Sequence, residues 1–153
     1  MKTTIALTIF LLAALRPLAH ATEADNTTVT VIGKAAGATP FISKVTVNLS
    51  QLSVLKRVQF AVTPKSGSVT RPVSASYTKN YLGRRGYLRA DKSEIIIPVF
   101  GLYAGYTNKV ALTYFFLDGS FKKASIVIAT QPFNDACVYN TPTSSSRGQA
   151  RGI

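Results

Sequence analysis

The chain has 153 residues, 18 Lys and Arg against 6 Asp and Glu, a formal net charge of +12, one cysteine and one histidine. That length suits one domain with its own hydrophobic core, and lone Cys137 rules out an internal disulfide, so the core rather than a staple must hold the fold. Cys137 is read as a small packed residue, with a reactive thiol or an inter-chain link as the alternatives.

The N-terminus, MKTTIALTIFLLAALRPLAHATEAD, places Lys2 before an apolar run from Ile5 to Leu15 and then the small-x-small triplet Ala19-His20-Ala21. This is the layout of a secretory signal peptide cut after Ala21. The apolar run is far shorter than the roughly 20 residues that span a bilayer as a helix, so no stable membrane anchor is expected; an uncleaved anchor or a core helix is the competing reading. The expected domain plan is therefore a signal peptide over 1–21, a folded domain over 22–142 and a disordered tail over 143–153, in an exported protein, periplasmic or extracellular. Loss of Lys2 and Arg16 from the 18 basic residues leaves 16 against 6 acidic ones. Loss of His20, the single histidine, excludes a histidine general base, Ser-His or Cys-His nucleophiles and histidine-ligated zinc from the exported chain.

After the signal peptide the pattern is all-β. Strands are predicted at Thr27–Ile32, Phe41–Val47, Leu52–Val62, Val73–Tyr77, Glu94–Phe100, Lys109–Leu117 and Phe121–Thr130. Each is rich in Val, Ile, Thr, Phe or Tyr and bounded by Gly, Pro, Ser or Asn. About seven short strands with this spacing indicate an immunoglobulin-like β-sandwich. Leu49, Leu52, Leu55 and Val58 also fall at helical spacing, so a short helical turn feeding the third strand fits equally well. Asp118-Gly119 marks a hairpin turn. A two-residue turn there would pair Phe116 with Phe121 and Tyr114 with Lys123, which gives neither face a clean apolar alternation, and the register stays open. The tail TPTSSSRGQARGI is polar and without apolar period.

Chemistry-bearing patterns are sparse. GKAAGATP lacks the spacing and the terminal Lys-Ser/Thr of a phosphate loop. The carboxylates Glu23, Asp25, Asp91, Glu94, Asp118 and Asp135 form no pair suited to acid-base work. Asn26-Thr27-Thr28 has the form of a glycosylation acceptor, relevant only in a eukaryotic secretory route. In YTKNYLGRRGYLRADK, Tyr77, Tyr81 and Tyr87 are interleaved with Lys79, Arg84, Arg85, Arg89 and Lys92, a composition that suits stacking on bases and neutralising phosphates. An exported protein rarely meets nucleic acid, so the favoured reading is a solvated loop with its tyrosines packed on the sandwich. No nucleic-acid partner is expected, and weak contact with anionic surfaces remains open.

The stretch IPVFGLYAGYTNKV interleaves Phe100, Leu102, Tyr103 and Tyr106 with Gly101 and Gly105. It reads as a corner between two strands, with Pro98 at an edge where its missing N–H is tolerated and Leu102, Tyr103 and Val110 filling the core. By analogy with fibronectin-type sandwiches, where a tyrosine hydroxyl often ties this corner to the backbone, Asn108 takes the tying place and its amide is predicted to make the tie.

The run IPVFGLYAGYTNKVALTYFFLDGS followed by IVIATQPF, together with the upstream AVTPKSGSVTRPVSASYTKNYLGRRGYL, resembles the N-terminal domain of bacterial arylsulfate sulfotransferases over roughly residues 44–142. The resemblance implies an immunoglobulin-like module placed before a large β-propeller in an exported enzyme. Members move a sulfuryl group from a phenolic sulfate ester to a phenol through a sulfated propeller histidine. No catalytic, cofactor-binding or metal-binding residue carries over to this chain, and no cofactor is expected. The chain is read as a truncated, non-catalytic family member whose partner is a propeller domain or a second subunit. A free-standing cell-surface or adhesion module with a basic face is the alternative, and complementation of a separately encoded propeller is a third reading.

Overall fold

A computed structural model describes residues 20–68 and 70–134. The expected signal peptide up to Ala19, Asp135, Cys137, the expected domain end at 142 and the expected tail over 143–153 lie outside the described residues. Two four-stranded antiparallel sheets face each other, one in the order β1-β2-β6-β5 and the other β4-β3-β7-β8. The strands are β1 (Val29–Ala36), β2 (Ile42–Leu49), β3 (Leu55–Val62), β4 (Val73–Thr78), β5 (Leu88–Arg89), β6 (Glu94–Phe100), β7 (Thr107–Phe116) and β8 (Phe121–Ala129). Hairpins join β1 to β2, β3 to β4, β5 to β6 and β7 to β8, while the remaining connections cross from sheet to sheet. This is the immunoglobulin-like β-sandwich that the strand pattern indicates.

Alternation sets which face is buried. In β7 every second residue, Asn108, Val110, Leu112, Tyr114 and Phe116, points inward and is buried; in β2 these are Ser43, Val45, Val47 and Leu49, and in β6 Ile95, Ile97 and Val99. These meet Val58, Phe60 and Val62 of β3 in one core. Each large apolar side chain buried there contributes about 1.5–3 kcal/mol. Pro98 lies in β6 opposite Lys44 of β2, while β5 pairs with β6 only at Glu94 and Ile95. Its missing N–H therefore faces a flank that carries no ladder, and its carbonyl accepts a hydrogen bond from the Tyr77 hydroxyl at 2.7 Å.

Four details differ from the sequence pattern or sharpen it. Leu52–Val54 form a 3-10 turn before β3, so the helical spacing there is a turn feeding a strand. The 77–92 stretch is not a plain loop. Thr78 caps a helix α2 (Lys79–Arg84) by accepting from the Tyr81 N–H, Leu82 plugs the core, and Gly86 at φ 69° ends it, with the Tyr87 N–H donating to the Leu82 carbonyl. A short α1 (Glu23–Asn26), closed by a capping box between Thr22 and Asp25, precedes β1. The β7–β8 turn also has one residue more than a two-residue loop. Phe115 faces Phe121 and Tyr114 faces Lys122, with the Gly119 N–H on the Phe116 carbonyl and the Phe116 N–H on that of Ser120. The extra residue turns Ile126 and Ile128 of β8 inward, opposite Val110 and Asn108, while Phe115 stays on the outer face under the Arg57 guanidinium at 3.6 Å.

Candidate functional site

The corner between β6 and β7 is built around a buried carboxamide. Asn108 is fully buried; its Oδ1 accepts from the Tyr103 N–H at 2.8 Å, and its Nδ2 donates to the Tyr103 carbonyl at 3.0 Å and the Tyr106 carbonyl at 3.1 Å. This is the tie that the sequence predicts for Asn108. Thr130, after β8, adds a second clamp, since its hydroxyl donates to the Tyr103 carbonyl and accepts from the Tyr106 N–H. Gly101 (φ 77°) and Gly105 (φ 58°) make the bends. At Gly101 a Cβ would also stand 2.7 Å from Val73 Cγ1, so both conformation and space require glycine.

The knot holds in place one end of the sandwich, the end at which β6 and β8 finish. The Phe41 carbonyl accepts from the Leu102 N–H, the Gly105 N–H donates to Gln131, and the Tyr103 hydroxyl meets Thr70 at 2.6 Å. Three phenylalanines emerge there: Phe41 (39% exposed), Phe100 (41%) and Phe133 (52%). The rings of Phe41 and Phe133 lie 5.1 Å apart, and Phe100 stands edge-on to core Phe60 at 5.2 Å. Beside them a slot of about 500 Å³ opens between the β1–β2 turn and β8, lined among others by Lys34, Ala36, Thr39, Pro40, Val127 and Gln131. Lys34 reaches across the slot to donate to the Val127 carbonyl at 3.0 Å, bridging the free edges of the two sheets. Sequence reading missed Phe41, Phe133 and Lys34 as surface features. The available clue was Phe133 standing alone after the last strand and before a polar tail.

The basic tyrosine stretch sits at the opposite end and is spent on structure. Tyr77, Tyr81 and Tyr87 pack against the core, with the Tyr77 and Tyr81 rings stacked at 5.6 Å. Lys79 donates to the Ser53 carbonyl, Arg85 lies over Tyr81, and Arg89 pairs with Glu94 at 3.4 Å. Exposed Arg84 and Lys92 face water. All three tyrosines are half-buried, as the packed reading of this stretch expects.

Of the described carboxylates, which the sequence leaves scattered, Glu23 and Asp118 come together. Asp118 accepts from the Glu23 N–H at 2.8 Å while Glu23 accepts from the Asp118 N–H at 3.0 Å, a mutual cap between the β7–β8 turn and α1. Hydrogen bonds from the Ser120 hydroxyl and the Glu23 backbone hold the Asp118 carboxyl below its ordinary range, and those from Thr22 do the same for Asp25. Burial pushes the Tyr114 phenol far up. Among the described residues no group of three His, Cys, Asp or Glu could hold a metal ion, and no helix is long and apolar enough to cross a membrane.

The model of the arylsulfotransferase Ig-like domain family matches residues 46–131, more than half of the chain. The chain belongs to this family. The match starts within β2 and ends at Gln131, so it takes in the Ig-like domain's Asn108 corner and both central hairpin strands. Among curated proteins no relative matches the chain.

Proposed function

We propose that this Ig-like domain is an exported, non-catalytic accessory module that supports an arylsulfotransferase propeller domain or a subunit contact. The observation that carries this reading is the aromatic end of the sandwich. Phe41, Phe100 and Phe133 emerge at the end of the sandwich where β8 finishes, with the Phe41 and Phe133 rings in contact, and apolar groups exposed at one end of a domain suit contact with a neighbouring domain. Export rests on the signal-peptide layout of residues 1–21.

Its chemistry agrees with that role. Sulfuryl transfer through a covalent intermediate needs an activated nucleophile and a base held within hydrogen-bond reach. Glu23, Asp25 and Asp118 are caps, Glu94 is an ion-pair partner, and the buried Tyr114 phenol is held protonated. Purified chain incubated with an aryl sulfate and a phenol acceptor is expected to release no phenol above the buffer rate. Turnover that persists through repeated purification would refute the non-catalytic reading.

A further inference from the structure

We propose that the aromatic end of the domain docks on a protein surface with an apolar centre and a rim of carboxylates. The proposal rests on the accessory reading above and adds which face is used and what chemistry the partner presents.

Acidic charge is segregated along the sandwich, while basic residues occur at both ends. Glu23, Asp25, Asp91, Glu94 and Asp118, the acidic residues among those described, all lie at the end that carries α1, α2 and the β7–β8 turn. Mutual capping of Glu23 with Asp118 and the Arg89–Glu94 pair keep them there. Toward the aromatic end the described charges are Lys34, Lys44, Lys65, Arg71 and Lys109, with no carboxylate among them. Lys34 is spent on a carbonyl and Lys65 stands 5.1 Å from the Tyr106 ring centroid, so neither is neutralised.

These cations surround the phenylalanines rather than forming a track. Lys44 and Lys109 lie on the outer faces of the two sheets, opposite Pro98 and Val127 in the ladders, Lys34 stands at the slot, and Lys65 and Arg71 belong to the β3–β4 connection. A linear polyanion would engage the cations and leave Phe41, Phe100 and Phe133 in water. A protein face with apolar residues at its middle and Asp or Glu around them satisfies both, in the usual core-and-rim arrangement of interfaces. The slot beside Phe41 has room for an apolar side chain from that face. A second copy of the domain presenting this same end would set cations against cations.

The test is amide hydrogen exchange of the full chain with two probes: an arylsulfotransferase propeller freed of its own Ig-like domain, and heparin. Protection by the propeller at residues 37–43, 100–106 and 130–134 is expected. Phe41→Asp combined with Phe133→Asp should weaken that binding about 30-fold or more. Both rings are substantially exposed, so the variant keeps its fold, which its own exchange pattern checks. Lys65→Glu with Arg71→Glu should weaken binding too and flatten its salt dependence. Protection confined to the α1 and α2 end would overturn this inference and leave the accessory reading standing, whereas no protection anywhere would overturn this inference together with the propeller-supporting form of that reading. Protection of the aromatic end by heparin that survives the double Phe substitution, with none from the propeller, would assign the face to polyanions and overturn the proposal.

Discussion

The Asn108 carboxamide grips both backbone polar groups of Tyr103: Oδ1 takes the Tyr103 N–H at 2.8 Å and Nδ2 gives to the Tyr103 carbonyl at 3.0 Å. With the further bond to Tyr106, one buried side chain satisfies backbone groups that a two-glycine corner leaves without a ladder. Asn108→Ala should therefore cost about 1–3 kcal/mol, because the freed groups lose their partners in a buried setting. Asn108→Asp should not rescue it, since the carboxylate keeps the acceptor and loses both donors. Chemical denaturation of the three proteins checks this, and an unchanged midpoint for Asn108→Ala would contradict it.

Tyr114 presents the opposite case. It is fully buried in β7, and neither its hydroxyl nor that of Thr27 has a hydrogen-bond partner. An unpaired buried hydroxyl costs about 1–3 kcal/mol of desolvation. Tyr114→Phe keeps the ring and removes the polar atom, so the melting midpoint should hold or rise. A fall of several degrees would show that the hydroxyl is satisfied in the folded chain.

Acid should loosen the α1 end first. The folded-state carboxyls of Asp118 and Asp25 lie below the ordinary 3.8, lowered chiefly by the Ser120 hydroxyl and the Thr22 side chain respectively. A depressed carboxyl contributes stability that is complete above the unfolded value and is lost as pH falls through the folded value. Thermal midpoints should thus be flat above pH 5 and drop below about pH 4. Asp25→Asn with Asp118→Asn should be flatter through that window; identical acid limbs would contradict the assignment.

Much of the sandwich was legible because two-residue periodicity is strong wherever one face is buried. Val45, Val47 and Leu49, or Ile95, Ile97 and Val99, announce both strand and facing. Asn108 was legible through its place after a Gly-rich corner. Helix α2 was not, because Lys79–Arg84 is only six residues and its apolar content is Tyr81 and Leu82. Its signs were the Thr78 cap and Gly86, which look like loop punctuation in isolation. The β7–β8 register was equally hidden, since Asp118-Gly119 serves both a two-residue turn and the longer bulged turn that forms, and only core packing of Ile126 and Ile128 selects between them. Segregation of charge had no sequence signature: Lys34, Lys44, Lys65, Arg71 and Lys109 are scattered along 76 positions of the chain and meet only when the sheets fold.

The central claim is that this domain serves a propeller partner, and added ligand that binds only a folded protein raises its melting midpoint in proportion to saturation. The direct measurement is the midpoint of an arylsulfotransferase propeller without its own Ig-like domain, scanned against rising concentrations of this chain. A concentration-dependent rise, lost with the Phe41→Asp and Phe133→Asp variant, is the predicted result. A midpoint that stays constant at every concentration would contradict the account.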